Sequence, residues 1–238
     1  YLYLNQLKNK KEKTEELSQK RLIKIKNSLN GLEKSGNRIL SLSKRGINAA
    51  VNGNIKEAGE SLKDAVKVVD EFIGGLSKIR THLAIILREH RVTINDLQSL
   101  YSKIKILEDD FSRAMEEFLE AEITYLYFRD AGRLFYPKKT SNCDFEIYAG
   151  AIADFCGELL RKARLDIIND VESMVNIKNY HRDTKNIHDI LSSFSFSNSR
   201  GVRSKMEHIK EYIKEFERIL CDLKISDLRR NNNLLRKL

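Results

Sequence analysis

The chain has 238 residues, one proline, no tryptophan and a formal charge of +9, and 41% of its residues are apolar while 32% are charged. This length can bury a substantial core, and this balance is typical of a soluble, helix-rich globular protein and excludes a membrane-embedded one. The net positive charge favours a polyanionic partner, with nucleic acid ahead of an anionic membrane surface.

Apolar residues recur at the spacing of an amphipathic helix along most of the chain. The first helix is predicted to run from the lysine-rich start to about Ala50, with the Asn-Gly-Asn of residues 52–54 as its stop. The second is predicted to begin at Ile55 and to end at Gly74-Gly75, where another helix follows at once.

The helical spacing continues over residues 97–118 in a long central helix, and loops are predicted at 132–143 and at the serine-rich segment 192–201. Apolar residues from Val202 to Leu223 then alternate steps of four and three, as a helical packing seam requires. No alternating strand pattern is found. We therefore predict an all-α protein, a single domain over residues 1–238 built as a bundle of about six or seven antiparallel helices.

The three cysteines, Cys143, Cys156 and Cys221, are too few and too scattered for a disulfide framework or a zinc cluster, so we expect free thiols in a reducing compartment. No apolar run is long enough to span a bilayer, and the polar, lysine-rich start is unlike a secretion signal. We expect a cytoplasmic protein with no membrane partner.

A first pair of carboxylates stands in the central helix, where Glu117 and Glu120 flank Phe118. Residues three apart share a helix face, and the periodicity assigns Phe118 to the core, so these carboxylates are expected at the edge of the core. The alternative is a solvated acidic face, which is the usual role of a charge cluster on a helix.

A second pair, Asp154 and Glu158, stands four residues apart among small and apolar residues. An ionised carboxylate is costly to bury unless it is paired or bound to a cation. In a structural alternative, Arg161 or Lys162 reaches back to Glu158 and Asp154 caps a neighbouring helix. The surrounding small residues would also allow another helix to approach closely; they are Gly150, Ala151, Ala153 and Gly157.

Carboxylates from two helices suit a hard divalent cation such as Mg²⁺ or Mn²⁺, which prefers oxygen ligands. In phosphodiester hydrolysis such ions activate water and neutralise the charge that develops on phosphate. A di-iron bundle site is the competing interpretation, but it normally requires Glu-x-x-His pairs, and no histidine stands at that spacing here.

Basic residues recur on the first helix and before the glutamates of the central helix. The lysines and arginine could meet backbone phosphates, and the tyrosine could stack on a base, a tolerant mode of single-strand binding. A lysine-rich helix can equally be only solvated. The predicted RNA-binding residues are Lys20, Arg21, Lys24, Tyr101, Lys103 and Lys105.

Several segments resemble the translin/Trax family. The closest likeness lies between Asp144 and Asp227 and includes Ala-Asp-Phe-Cys-Gly-Glu-Leu-Leu-Arg-Lys-Ala-Arg at 153–164. Glu-Phe-Leu-Glu-Ala at 117–121 is similar to the Glu-Tyr-Val-Glu-Ala motif of Trax, and Ser-Leu-Asn-Gly-Leu-Glu-Lys-Ser at 28–35 is similar to the first helix of translin.

The resemblance implies an all-helical fold, octameric shells that enclose RNA, and Mg²⁺-dependent endoribonuclease activity in Trax-type subunits. Glu117, Glu120, Asp154 and Glu158 match the acidic residues of Trax, and translin lacks counterparts of Glu117 and Asp154. A catalytic subunit is therefore implied, similar to the archaeal homologues that form octamers of one chain. The histidine-rich nucleic-acid motif of translin is absent, and only Tyr101 and Lys103 fall near its place.

We predict a metal-dependent endoribonuclease that cleaves single-stranded RNA inside an oligomeric shell, with those four carboxylates as catalytic residues and ligands of Mg²⁺ or Mn²⁺. The alternative is a non-catalytic, translin-like protein that binds single-stranded RNA or single-stranded DNA, in which the acidic residues are structural. A third possibility, a purely structural helical oligomer, explains the apolar seam but leaves Asp154 unexplained.

Overall fold

The fold is taken from a computed structural model, which describes residues 2–88, 94–132, 144–169, 173–196 and 199–235. This described part of the chain consists of helices joined by short turns and contains no strand, which confirms the predicted all-α class. Its helices are α1 (Leu2–Val51), α2 (Ile55–Arg88), α3 (Ile94–Arg129), α4 (Phe145–Ile168), α5 (Ser173–Ser192) and α6 (Arg200–Leu235). None of these described helices carries an apolar stretch long enough to cross a membrane.

The chain divides into two compact units, and α1, α2 and α3 each contribute to both. Unit 1 comprises Tyr1–Leu42 and Lys63–Met115, and unit 2 comprises Ser43–Leu62 and Glu116–Leu238. The prediction of a single domain over residues 1–238 stays a prediction.

Unit 1 is built around a pair of stacked aromatic rings. Phe72 of α2 is fully buried and lies parallel to Phe111 of α3, with ring centroids 4.1 Å apart. Ile79 and Ile86 continue the buried face of α2 at the predicted helical spacing, and the buried residues of α1 include Leu29 and Ile39.

The prediction that the second helix ends at Gly74-Gly75 is wrong, because α2 continues to Arg88. A glycine inside a helix costs about 1 kcal/mol relative to alanine, which the buried residues Phe72 and Ile79 on either side offset. Gly75 also has a packing role. A Cβ atom there would lie 2.6 Å from a methyl group of Leu32 on α1, so glycine allows the close approach of these two helices.

Unit 2 begins with the turn between α1 and α2. Gly53 has a φ of 84°, and the amide of Asn54 donates to the carbonyl of Ala49 at 2.8 Å, which confirms residues 52–54 as the predicted stop of the first helix. On the two sides of this turn, buried alanines of α1 and α2 pack against Tyr125 and Phe128 of α3.

Two buried tyrosines link α3, α4 and α5 in unit 2. Tyr127 of α3 packs edge-on against Phe155 of α4, with ring centroids 5.1 Å apart, and its hydroxyl donates to Asp183 of α5 at 2.7 Å. Tyr180 of α5 donates to Asp166 of α4 at 3.3 Å. These polar contacts satisfy carboxylates that would be costly to bury alone.

The last helix carries the predicted packing seam. Its buried residues Val202, Ile209 and Phe216 are spaced seven apart, so they form one stripe along α6, as a coiled-coil-like seam requires. The polar break before it is also confirmed, since α5 ends at Ser192 and α6 begins at Arg200. The other predicted loop begins where Ala131 and Gly132 adopt positive φ values, and its residues 133–143 lie outside the described part.

Candidate active site

Among the carboxylates that unit 2 carries on α3 and α4, five form what we term the acidic cluster: Glu116, Glu117, Glu120, Asp154 and Glu158. The helices hold these residues near one another because their apolar neighbours are core residues. Phe118 and Phe155, each adjacent to members of the cluster, are 2% and 0% exposed. The two predicted carboxylate pairs therefore do belong to one neighbourhood of the fold.

Glu120 is the most deeply placed member, with only 7% of its surface exposed. Burial first, and then the negative charges of Asp154, Glu158 and Glu117, together raise its pKa to about 9. Without an added cation, Glu120 therefore carries a proton at neutral pH. Within the described residues, the carboxylate of Glu120 forms no hydrogen bond and no ion pair.

Asp154 meets a cation from a third helix, because the ammonium of Lys205 on α6 contacts both Asp154 and Glu116. Burial and the charges of Glu117 and Glu158 raise the pKa of Asp154 to about 7, while burial lowers the pKa of Lys205 to about 8. The direct contact opposes both shifts, since it favours the ionised form of each group. Asp154 lies inside α4, and the contact described for its side chain is this one with Lys205. The structural alternative in which Asp154 caps a neighbouring helix stays a prediction.

Glu158 is paired within its own helix. The guanidinium of Arg161 lies 2.7 Å from the carboxylate of Glu158, in an ion pair whose atoms are buried and do not have hydrogen-bond geometry. The same guanidinium donates a hydrogen bond to the side chain of Asn48 on α1 at 2.7 Å. Burial raises the pKa of Glu158, and Arg161 opposes that shift. Of the two partners considered from the sequence, Arg161 is the one that reaches Glu158, whereas Lys162 pairs with Asp166.

The small residues of α4 admit side chains from two neighbouring helices. A Cβ atom at Gly150 would lie 2.6 Å from the carboxylate of Glu116, and one at Gly157 would lie 3.4 Å from the hydroxyl of Tyr212. Tyr212 stands two helical turns beyond Lys205 on α6, and burial together with nearby Asp154 raises its pKa. Helix α6 thus presents a lysine and a tyrosine to the acidic cluster.

Sequence reasoning missed Glu116, Lys205 and Tyr212. Glu116 directly precedes the predicted pair, so it could have been included as a further carboxylate. Lys205 and Tyr212 gave no signal, because they lie in a helix that has many other charged residues and is identified only by its apolar seam.

The chemistry of the donors fits a hard divalent cation. The acidic cluster offers only carboxylate oxygens, the ligands that Mg²⁺ and Mn²⁺ prefer, and its buried member Glu120 lacks a counter-charge in direct contact. In the described part of the chain, however, no group of three or more acidic, histidine or cysteine side chains converges as a metal-binding set. Side-chain rotations within the cluster are therefore needed before several carboxylates can share one ion.

The predicted RNA-binding residues lie in unit 1, on α1 and α3. Lys20 is exposed and forms an ion pair with Glu16 at 2.6 Å, and Tyr101 is 69% exposed. Lys103 borders a pocket of about 150 Å³ together with Glu33 and Asp110. The accessible ring of Tyr101 is available for stacking, while these carboxylates reduce the positive charge around Lys103.

Comparison with known proteins identifies the fold and the family. The sequence model of the Translin family matches residues 19–227, which is most of the chain. The chain belongs to the Translin family. No curated protein matches the sequence.

Solved structures with this fold include C3PO proteins. The structure of AfC3PO has a TM-score of 0.65 to this translin-family chain and is 18% identical to it, covering 90% of this chain and 98% of that one. The AfC3PO–duplex RNA complex gives the same score and identity, with 90% and 97% covered. Apo-NeC3PO gives a TM-score of 0.64 at 18% identity, with 90% and 95% covered.

Proposed function

We propose that this translin-family chain is a metal-dependent endoribonuclease that cleaves single-stranded RNA inside a homo-oligomer. The observation that carries the proposal is the acidic cluster itself, in which buried Glu120 of α3 lies within electrostatic reach of Asp154 and Glu158 of α4. Gathering these charges destabilises the fold unless cations compensate them, and the contacts of Lys205 and Arg161 leave buried Glu120 without a cation in direct contact.

Glu117, Glu120, Asp154 and Glu158 would hold Mg²⁺ or Mn²⁺. When bound, such an ion supplies Lewis-acid activation of water and neutralises charge on the scissile phosphate. The protein contributes the positions of the carboxylates. Arg161 fixes Glu158 by an ion pair at 2.7 Å, and the buried Phe118 and Phe155 keep bulk water from the inner side of the cluster.

RNA is the proposed polyanion because of the charge of +9, the exposed Tyr101 and the lysines near it. The related fold of AfC3PO has been solved with duplex RNA, which supports a nucleic-acid ligand for this fold. Large exposed apolar side chains outside the core, such as Ile23 and Ile106, support assembly into an oligomer, for which we propose eight copies. The free cysteines Cys156 and Cys221 agree with a cytoplasmic location.

One observation favours a second candidate, a translin-like protein that binds single-stranded RNA or DNA without cleaving it. Lys205 already neutralises part of the charge of Asp154 and Glu116, and Arg161 does the same for Glu158. With these pairs in place, the acidic cluster could stabilise α3, α4 and α6 without any metal.

A cleavage assay separates the two candidates. An end-labelled single-stranded RNA is incubated with the protein in Mg²⁺, in EDTA, and in EDTA followed by excess Mg²⁺. The proposed nuclease yields fragments in the first and third conditions only. Binding in a gel-shift assay with no fragments in any condition would instead establish the non-catalytic candidate.

A further inference from the structure

Lys205 holds a position that a metal-binding role for the acidic cluster does not explain. Its ammonium is shared between Glu116 on α3 and Asp154 on α4, and only 25% of its side chain is exposed. A partly buried lysine is stabilised by such pairing, and this ammonium contacts two carboxylates from two different helices.

The same carboxylate oxygens cannot serve the ammonium and a divalent cation fully at once. Asp154 offers its lone pairs either to Lys205 or to the metal, and the two positive charges would repel each other at contact distance. Binding a metal at Asp154 therefore requires Lys205 to move.

We infer that Lys205 competes with the divalent cation for the carboxylates of the acidic cluster. In the metal-free protein its ammonium neutralises part of the charge of the cluster, and it moves away when the metal binds. This inference rests on the proposed metal-dependent function. In this role Lys205 is a residue that sets the metal affinity, and it makes no contact with the reacting phosphate.

The surroundings of Lys205 allow that movement without unfolding. A quarter of its side chain is already exposed, and a lysine stem is flexible enough to swing its ammonium away from the two carboxylates into solvent. Helix α6 stays anchored meanwhile, because Val202 and Ile209 on its buried stripe are 4% and 0% exposed.

The test measures Mn²⁺ binding directly, by calorimetry and by the paramagnetic resonance signal of free Mn²⁺, on the full-length oligomer. Lys205→Met removes the competing charge, and we expect it to bind Mn²⁺ about tenfold to a hundredfold more tightly than the unaltered protein, as loss of a charge-assisted contact implies. Lys205→Gln keeps a hydrogen-bond donor without the charge, and it should also bind more tightly.

Lys210→Met is the matched control, because Lys210 is an exposed lysine of the same helix that pairs with Glu207. Its Mn²⁺ affinity should equal that of the unaltered protein. Thermal unfolding gives a second measurement: in EDTA, Lys205→Met should melt at a lower temperature, and added Mn²⁺ should raise its melting temperature more than that of the unaltered protein.

Equal or weaker Mn²⁺ binding by both Lys205 variants overturns the inference and leaves the metal site standing. Weaker binding would show that Lys205 orients the ligands instead of competing with the metal. If the unaltered protein and both variants bind no Mn²⁺, the proposed metal-dependent function fails together with the inference.

Discussion

Asp154 of α4 is held by Lys205 of α6, which stands 51 residues further along the chain. This ion pair allows two interpretations of Asp154. It is either a metal ligand that pairs with Lys205 while no metal is bound, or a purely structural partner of that lysine. Replacing Asp154 by asparagine distinguishes the two.

Asp154→Asn keeps the size of the side chain and removes its charge. We expect Mg²⁺-dependent cleavage to fall by about a hundredfold or more, as is typical when a charge-stabilising catalytic group is lost. RNA binding and oligomer mass should stay unchanged, because Lys205 retains Glu116 as a partner.

The control for this variant is Glu146→Gln, which removes an exposed carboxylate from the first turn of the same helix. It should cleave RNA at the normal rate. A purely structural Asp154 would show a different pattern, in which Asp154→Asn lowers the melting temperature or breaks the assembly while cleavage per assembled oligomer is maintained.

The raised pKa of Glu120 predicts how stability depends on pH in the absence of metal. Its folded-state pKa of about 9 exceeds the ordinary glutamate pKa of 4.5, so between these values the unfolded chain has lost a proton that the folded chain keeps. Stability in EDTA should therefore fall as pH rises from about 5 to 9.

Glu120→Gln removes the titrating carboxylate and with it this contribution to the pH dependence of stability. In EDTA at pH 8 we expect the variant to melt several degrees above the unaltered protein, given that about 1 kcal/mol shifts the melting temperature of a chain this long by roughly 2–4 °C. Near pH 4.5 the two proteins should melt alike. A difference that is constant across this range would show that the Glu120 carboxylate does not titrate as described.

The basic residues of α3 can be tested by the salt dependence of RNA binding. If Lys103 and Lys105 contact phosphates, each change to glutamine should lower the slope of log affinity against log salt by about 0.7. Lys178→Gln, on the exposed face of α5, is the control and should leave the slope unchanged. An unchanged slope for all three variants would show that these lysines are only solvated.

The proposed assembly has a definite mass. Eight copies of a 27.6 kDa chain give about 220 kDa, which light scattering in moderate salt should detect as one species. A monomer under these conditions would rule out the shell and, with it, cleavage inside an enclosed space.

The hydrogen bond from Tyr127 to Asp183 predicts a purely structural effect. Tyr127→Phe leaves the carboxylate of Asp183, which is 5% exposed, without this donor and should lower the free energy of unfolding by about 1–3 kcal/mol. Tyr101→Phe, at a ring that is 69% exposed, should change it by less than about 0.5 kcal/mol. Chemical denaturation of both variants checks the difference.

The sequence by itself determined the features that depend on neighbours along the chain. Helical periodicity predicted the all-α class and the stripe of Val202, Ile209 and Phe216, and the glycine at 53 marked the end of α1. The pair of Glu158 with Arg161 was also foreseeable as one of two alternatives, because residues three apart on a helix are always neighbours.

Only the tertiary structure decided which residues of different helices meet. The partner of Asp154 could have come from any basic residue, and the close approach of Leu32 on α1 to Gly75 on α2 is also a contact between two helices. The deep burial of Glu120 likewise depends on how α3 is rotated towards its neighbours. Local spacing fixes the faces of each helix, but the rotation and height at which two faces meet are set by the packing of the whole core, which no single segment of sequence contains.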